Sequence, residues 1–303
     1  QLDEALSQLE FMVSVDIYIN ETTRHADVIL PPTCGIEHDH YDLAFHPLAV
    51  RNTARYNQPV FEKADDSLHD WEIYNALGER ISRLLDQPSS AMPAPHQILD
   101  FGLQSGPWGS ASGHQRQLSL AELKQHPHGI DLGPLQSQLP ERLFHQNKMI
   151  VCLPDPIAHD LQRLRETLDA RAAEPGLQLI GRRHVRSNNS WMHNYQRLVK
   201  GKDRCTLLMH EHDVQALKLQ DGQTVCVRSR VGTVRVKLEQ TLDIMPGTVS
   251  LPHGWGHDRE DIQLEIAQEN AGVSVNDLTD DQYYDALSGN AAVNGVSVTV
   301  EAA

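Results

Sequence analysis

The chain has 303 residues, of which 40% are hydrophobic and 22% are charged, and its formal net charge at pH 7 is −15. This length allows two domains of ordinary size. The excess of acidic residues excludes the basic surface that binding to a nucleic-acid backbone requires. No run of about 18 apolar residues occurs in the sequence, so we expect no membrane span.

The cysteines and histidines lack the spacing of a metal site. Neither a CxxC pair nor an HExxH motif occurs, which excludes a zinc ribbon and an iron–sulfur ligand run from this sequence. We therefore expect free thiols in a reducing compartment, and hence a cytoplasmic protein. The four cysteines are far apart, at Cys34, Cys152, Cys205 and Cys226.

The sequence begins at Gln1 rather than at a methionine, inside an apparent helix. This start suggests a fragment of a longer polypeptide. No basic segment followed by an apolar one, as in a signal peptide, opens the chain. A missing N-terminus would hide such a segment, so a periplasmic location stays open.

The first part of the chain has the pattern of an α/β layer. Residues 11–19 (FMVSVDIYI) are apolar and β-branched and predict a buried strand. A short helical turn over residues 20–26 and a second strand over residues 27–30 follow. Strand, turn and strand with tight connections indicate a parallel, Rossmann-like sheet. Ligands of such sheets bind at the carboxyl ends of strands, which here means near Asp16 and Glu21.

The next clear element is an amphipathic helix. After a polar stretch over residues 37–59, Ser67 is placed to cap a helix, with Asp70 three residues later, and Pro88 follows its end. The spacing of the apolar residues predicts one buried face. That face consists of Leu68, Trp71, Tyr74, Leu77, Ile81 and Leu84.

Residues 87–175 change in character. Pro, Ser, Gly, Gln and His dominate residues 87–147, with one short helical pattern over 118–124, which predicts a linker or an insertion. Asp155 and Pro156 then begin a second amphipathic helix. Its predicted apolar face consists of Ile157, Leu161, Leu164 and Leu168.

From residue 177 onward the pattern is mainly β. Turn sequences such as Asp221-Gly222 and Pro246-Gly247 separate short β-branched runs, and one helix is predicted over residues 213–219. Many short strands with few helices favour a closed barrel. The predicted strands cover residues 177–180, 206–209, 224–227, 234–238, 248–251 and 296–300.

The stretch over residues 177–194, LQLIGRRHVRSNNSWMHN, has the pattern of a strand that feeds a binding loop. Arginine forks, amide side chains and freed backbone suit an anionic ligand rich in hydrogen-bonding groups. The alternative is a surface strand end with solvated arginines. Both interpretations are compatible with this stretch alone.

Three stretches together resemble a known family. VDIYINETTRHADVILP (residues 15–31) comes first, and GRR with NNSWM in residues 181–192 comes second. The third begins with HEHDVQALKLQDGQTVCVRSRVGTVRV at residue 210, continues through IMPGTVSLPHGWGH and ends with VNDLTDDQYYDALSG. In this order they resemble the C-terminal half of the prokaryotic molybdopterin oxidoreductases, the superfamily of formate dehydrogenases, nitrate reductases and dimethyl sulfoxide reductases. The resemblance runs from about residue 11 to the C-terminus and is weakest over residues 86–147.

The resemblance implies cofactors, partners and domains. The family binds two molybdopterin guanine dinucleotides around one Mo or W, and its N-terminal half, absent here, carries the metal ligand and in many members an iron–sulfur cluster. The implied partners are that half of the same polypeptide, a redox protein or subunit, and a small-molecule substrate. Residues 1–86 would complete the α/β molybdopterin-dinucleotide domain, 87–175 would be the linker or insertion, and 176–303 would form a double-psi β-barrel.

The resemblance also implies cofactor-binding residues in the first part of the chain. Asp16 would accept hydrogen bonds from a guanine edge. Thr22 would donate to a phosphate. Asp70, or the neighbouring His69, would make a second guanine contact. Each of these residues has a structural alternative, a turn for Asp16 and a helix cap for Thr22 and Asp70.

In the barrel, the implied cofactor contacts centre on the loop after the first strand. Gly181 would let the backbone approach the pterin or diphosphate, and Arg182 would supply a guanidinium fork. Asn276 would pair with a pterin, with an N-cap as its alternative, and we expect His257 to be hydrogen-bonded rather than metal-bound. Further donors would come from Ser187, Asn188, Asn189 and Ser190. We expect residues 182–190 to be exposed.

The expected function is that of the cofactor-binding C-terminal portion of a formate dehydrogenase-like enzyme that transfers electrons. The portion would be inactive by itself, because it contributes neither a catalytic residue nor a metal ligand. A non-catalytic descendant of the superfamily and a barrel used as a protein-interaction subunit are the alternatives. The polar GRR and NNS residues and Asn276 argue against the first, and the α/β segment argues against the second. The sequence does not decide the substrate or the choice of Mo or W.

Overall fold

The computed structural model describes residues 2–89, 91–113, 117–173 and 176–303. Contacts within the chain divide it into two units. The first consists of Gln1–Tyr18 and His25–Met149, and the second of Ile19–Arg24 and Ile150–Ala303. The short segment Ile19–Arg24, although early in the sequence, therefore packs with the C-terminal part of the chain.

Helices and strands follow one another in both units. The described helices are α1 (Leu2–Ser7), α2 (Asp70–Leu84), α3 (Pro95–Ser105), α4 (Leu120–Lys124), α5 (Asp155–Ala173), α6 (Gln196–Val199), α7 (Glu211–Ala216) and α8 (Glu265–Glu269). The strands are β1 (Val13–Ser14), β2 (Val28–Ile29), β3 (His40–Tyr41), β4 (Arg51–Ala54), β5 (Tyr56–Asn57), β6 (Ile130–Pro134), β7 (Leu177–Arg182), β8 (Thr206–His210), β9 (Thr224–Arg228), β10 (Thr233–Thr241), β11 (Thr248–Pro252) and β12 (Val296–Ala302).

The first unit contains the predicted parallel pair, in reduced form. β1 and β2 pair in parallel, with Val13 opposite Val28. The prediction of a buried strand over residues 11–19 was wrong, because β1 has two residues and Phe11 is 64% exposed. The strand ends early because the Asp16 carboxylate accepts hydrogen bonds from the next two backbone amides, which turns the chain.

The predicted helix is present as α2, but it begins at Asp70, two residues later than a cap at Ser67 predicts. His69 is the N-cap residue. Glu72 completes a capping box, because its carboxylate accepts a hydrogen bond from the His69 amide at 2.8 Å. The predicted apolar face is largely unburied, since Ile73 is the one buried residue of the helix. Leu84 is 85% exposed.

The prediction of a linker over residues 87–175 missed a packed region. Strands β4 and β6 pair antiparallel, and helices α3 and α4 pack beside them. Ser119 caps α4, and Asp100 of α3 accepts from the Leu120 amide at 2.8 Å, which joins the two helices. This core contains Ala54, Tyr56, Leu103, Leu118, Leu120, Leu123 and Ile130. Helix α5 is present as predicted, with its apolar face partly exposed.

The second unit is a closed six-stranded barrel with the strand order β10-β8-β11-β7-β12-β9. All six predicted strands are confirmed. The β10–β8 and β11–β7 pairs are parallel and the other described pairs are antiparallel. Alternate residues point inward, as in β10, where Val234, Val236 and Leu238 are buried and their neighbours are not. Among the described helices of both units, none is long and apolar enough to cross a lipid bilayer.

Candidate functional site

Two loops leave the barrel at the same edge. β7 and β11 run parallel, with Arg182 opposite Pro252, and the His253 amide donates to the Arg182 carbonyl at 2.9 Å. The chain after β7 forms the asparagine loop, residues 183–194. The chain after β11 forms the histidine loop, residues 253–257. Parallel neighbours that end together bring these loops side by side, although they are far apart in sequence.

The asparagine loop presents polar groups to solvent. Asn188 and Asn189 have φ angles of 41° and 62°, in the left-handed region that asparagine tolerates better than most residues. The loop is held internally by the Met192 amide, which donates to the Ser187 carbonyl at 3.2 Å, and by Arg183, which donates to the Asn189 side chain. Ser187 is buried, whereas residues 183–186 and 188–190 are exposed, as expected.

The backbone of the histidine loop packs against the backbone of the asparagine loop. Gly254 has a φ of +89°, and a methyl group added to it would lie 2.0 Å from the Asn189 carbonyl oxygen. The two backbones are therefore in direct contact, and no other residue type fits at position 254 without moving one of them. The conformation of the asparagine loop depends on this contact.

A hydrogen-bonded chain links one histidine of each loop to Glu21. His193 Nδ1 and His257 Nε2 are 2.9 Å apart, and His257 Nδ1 lies 2.8 Å from Glu21 Oε1. The same Glu21 oxygen accepts from the His257 backbone amide at 3.0 Å. His193 and His257 are 2% and 3% exposed. We call these three residues the Glu–His–His chain.

The pKa values of Glu21 and His193 are both lowered, for different reasons. The hydrogen bond from His257 lowers the pKa of Glu21 to about 2, so the carboxylate stays charged. Burial lowers the pKa of His193 to about 4, so its ring is neutral at pH 7. The ring packs against Trp255 with 4.3 Å between centroids. Neither His193 Nε2 nor Trp255 Nε1 has a hydrogen-bond partner among the described residues, although both atoms are buried.

Asn276 lies in a 3-10 turn that approaches the same region. Ser274 caps this turn and accepts from the Asn276 amide at 3.3 Å. A methyl group at Gly256 would lie 3.8 Å from both the Ser274 Cβ and the Glu21 Oε1 atoms, so the turn borders the histidine loop. The Asn276 residue is exposed. Thr22, next to Glu21, is also exposed, and its amide donates to the Asn20 side chain at 3.0 Å.

Arg182 has a different role from the predicted one. Its guanidinium is half-buried and donates to the backbone carbonyls of Ser250 at 2.5 Å, Thr206 at 2.7 Å and Arg204 at 3.1 Å. This fork therefore clamps the ends of three strands of the barrel instead of facing a ligand. Gly181 has no left-handed φ, and its amide donates to the Asn294 side chain at 2.8 Å.

The remaining two predicted residues belong to the first unit. Asp16 ends β1 in the turn described above. Asp70 is the first residue of α2, and its carboxylate accepts from the Trp71 amide at 2.8 Å. His69 lies beside it, with Nδ1 2.6 Å from the Thr33 hydroxyl. The alternative role of Asp16, a turn, is thus realised, whereas the N-cap of α2 is His69 and not Asp70. Ligand contacts of Asp16 and Asp70 stay predictions.

The sequence reasoning missed His193 and the structural role of Glu21. The sequence holds only a weak indication of this contact. Glu21 directly precedes Thr22, and His257 is the last residue of the HGWGH motif. Glu21 and His257 are 236 residues apart in the sequence and come into contact only in the folded chain. Among the described residues, no group of three or more His, Cys, Asp or Glu side chains is arranged to hold a metal ion.

Residues 177–297, which include the barrel and both loops, match the molydopterin dinucleotide binding domain. Residues 1–80 match the molybdopterin oxidoreductase domain. Residues 1–80 and 177–297 therefore have the sequence patterns of these two molybdopterin families. The resemblance that the sequence carries is therefore confirmed.

Curated relatives are similar to this chain over short stretches. The F420-dependent formate dehydrogenase 2 subunit alpha of Methanococcus maripaludis is 34% identical over 83 residues, 26% of this chain and 11% of that protein. The putative formate dehydrogenase YrhE of Bacillus subtilis is 28% identical over 131 residues, 38% of this chain and 12% of that protein. The matched stretches thus span about a tenth of the length of these relatives.

Among solved structures, acetylene hydratase from Pelobacter acetylenicus has the same fold over nearly the whole chain. The TM-score is 0.55, with 16% sequence identity, and the match covers 99% of this chain and 41% of that one. At this identity the likeness concerns the fold alone. The chain has the fold of 41% of that structure.

Proposed function

We propose that the chain is the cofactor-binding C-terminal portion of a molybdenum or tungsten enzyme with two molybdopterin guanine dinucleotides, and that it is inactive by itself. The observation that carries the proposal is the asparagine loop. It offers exposed amides from the end of a barrel strand and is braced from below by Gly254. Its region matches a dinucleotide-binding domain.

The residues present fit such a cofactor. Diphosphate and pterin groups need several donors in a fixed arrangement. Asn188, Asn189 and Ser190 expose side-chain and backbone donors, and Asn276 and Thr22 expose further polar groups from segments that border the same loops. Arg182 would hold the loop base rather than touch the cofactor. Bound, the cofactor supplies the metal-centred electron transfer, and this chain binds and orients it.

The finer features follow from this proposal. The substrate would be formate, because the curated relatives are formate dehydrogenases. A metal ligand and an iron–sulfur cluster would lie in the N-terminal half of the same polypeptide, and electrons would pass to a redox protein. The barrel, with two parallel strand pairs among antiparallel ones, would be a double-psi barrel. Asp16 and Asp70 would contact the guanines from the α/β part.

The test uses the full-length protein that contains this chain. Asn188→Gly and Asn189→Gly remove the side-chain amides and keep the left-handed backbone, which glycine adopts freely. Asn147→Gly, an exposed asparagine in the first unit, is the matched control. Molybdenum or tungsten content and the fluorescence of oxidised pterin are measured after gel filtration. We expect cofactor retention to fall about tenfold in the two loop variants, the usual effect of one hydrogen bond to a charged group, and to be unchanged in the control.

A second measurement separates this proposal from its alternatives. The purified full-length protein should contain metal and pterin and should reduce a dye with formate, whereas residues 1–303 expressed alone should not. Metal and pterin without formate turnover would limit the proposal to cofactor binding. A full-length protein without pterin would contradict it and favour the non-catalytic descendant.

A further inference from the structure

The Glu–His–His chain joins three segments that the proposed function uses separately. Glu21 immediately precedes Thr22, His257 ends the histidine loop, and His193 lies in the asparagine loop. The contacts between them measure 2.8 Å and 2.9 Å and span 236 and 64 residues of sequence. Breaking the contact between the two buried rings would leave polar atoms without partners, so this contact fixes the geometry of the rings.

The Glu21 end sets the first of these hydrogen bonds. A carboxylate only accepts hydrogen bonds, so His257 donates to Glu21 from Nδ1, and its Nε2 atom faces His193. One hydrogen bond between His257 Nε2 and His193 Nδ1 then joins the two rings. The orientation of the His193 ring thus depends on Glu21, which it does not touch.

His193 in turn fixes the residues that would meet the cofactor. Its backbone amide donates to the Ser190 carbonyl at 3.0 Å. Its ring packs on Trp255 of the histidine loop, and the neighbouring Gly254 lies against the Asn189 carbonyl. Asn194, the next residue, accepts from two amides of α8 at 3.1 and 3.2 Å, which anchors the end of the loop.

We propose that Glu21, His257 and His193 are positioning residues that lock the asparagine loop into the conformation that receives the cofactor. The proposal rests on the proposed function for the identity of the ligand. The hydrogen bonds among the three residues are formed within this chain and need no ligand. None of the three residues needs to touch the cofactor. Their removal should loosen the loop first and weaken cofactor binding as a consequence.

The test compares hydrogen–deuterium exchange of the full-length protein purified without cofactor. Glu21→Ala removes the acceptor of two hydrogen bonds, whereas Glu21→Gln keeps an acceptor oxygen of the same reach and removes the charge. We expect amide exchange in residues 187–193 to rise about tenfold in Glu21→Ala and to return to the parent rate in Glu21→Gln. Glu62→Ala, at an exposed glutamate of the first unit, is the matched control and should leave this loop unchanged.

The rescue by glutamine separates positioning from general stability. If Glu21→Ala does not fold, His257→Gln interrupts the same chain in the middle and carries the same expectation. The proposal is overturned if exchange in residues 187–193 is unchanged in these variants, or if it rises equally throughout the barrel.

A cofactor measurement distinguishes the two proposals from each other. Dissociation of pterin from the loaded full-length protein should be faster in Glu21→Ala than in Glu21→Gln, in proportion to the exchange rates. Faster exchange in residues 187–193 of a protein that never contains pterin would support the positioning role of the three residues and contradict the proposed ligand. Pterin loss without loosening of the loop would contradict the lock and leave the proposed function standing.

Discussion

At the scale of single residues, the site concentrates groups that a barrel does not need for stability. His193 Nε2 and Trp255 Nε1 are buried without a hydrogen-bond partner in the described chain, and each such atom costs about 1–3 kcal/mol. Gly254 and the left-handed Asn188 and Asn189 lie within the same two loops. Left-handed residues together with two unpaired buried polar atoms in the same two loops are typical of a binding site rather than of a core.

Gly254 gives the sharpest prediction at this scale. Gly254→Ala should lower the free energy of unfolding by about 2–4 kcal/mol, because a left-handed backbone and a backbone clash act together. Gly222→Ala is the matched control, since Gly222 has a similar φ of +76° with nothing within 4 Å of the added methyl. It should cost about 1–2 kcal/mol by strain alone. Urea denaturation measures both. Equal losses would contradict the contact between the loops.

His193 predicts how stability depends on pH. Its pKa is lowered from 6.5 to about 4 on folding. Between these values the unfolded chain binds a proton that the folded chain excludes, so stability falls as the pH drops from 6.5 to about 4. The loss at pH 4 should reach roughly 2–3 kcal/mol. The lowered pKa of Glu21 removes further stability as the pH falls from 4.5 towards about 2.

The measurement is urea denaturation at a series of pH values. His193→Gln should be less stable at pH 7 and show a flatter slope between pH 6.5 and pH 4. Gln136→Ala replaces an exposed side chain that does not titrate and should keep the parent slope. An unchanged slope in His193→Gln would show that other groups set the acid sensitivity.

At the scale of elements, the parallel pair β7–β11 creates the site. The two strands end in register, so a loop that follows residue 182 and a loop that follows residue 252 meet. The clamp of Arg182 on three carbonyls fastens this edge of the barrel. The loops can therefore carry polar and strained residues while the strands below them stay fixed.

The barrel core can be tested on two adjacent residues of β7. Leu179 is fully buried, whereas Ile180 points outward and is 36% exposed. Leu179→Ala should lower the free energy of unfolding by about 2–5 kcal/mol through the cavity it leaves, and Ile180→Ala by about 1 kcal/mol or less. Denaturant unfolding compares them. A larger loss for Ile180→Ala would place the wrong face of β7 inside the barrel.

The barrel strands could be predicted from the sequence, whereas helix α3 and the contact of His193 could not. Each barrel strand has local signals, because β-branched residues alternate with polar ones between turn sequences, and all six were found. Helix α3 was missed because its apolar residues, Leu99 and Leu103 among them, pack on strands that are distant in sequence. His193 was missed for a similar reason. Its partner His257 lies 64 residues away, and no local pattern encodes such a contact.

At the scale of the whole molecule, both units carry unburied apolar faces. Tyr74 and Leu84 of α2 and Leu164 and Leu168 of α5 are about half exposed or more. Contiguous exposed apolar surface usually marks an interaction site. Under the proposed function the rest of the polypeptide covers these faces, and the net charge of −15 keeps the remaining surface hydrophilic.

The central claim is that the asparagine loop binds the dinucleotide cofactor. The most direct measurement is an experimental structure of the full-length protein loaded with metal and pterin. We predict that Asn188, Asn189 or Ser190 lies within about 3 Å of a cofactor oxygen or nitrogen, with the Glu–His–His chain intact beneath the loop. A bound cofactor that leaves residues 187–190 facing solvent, or a loaded protein whose cofactor lies away from this edge of the barrel, would contradict the account.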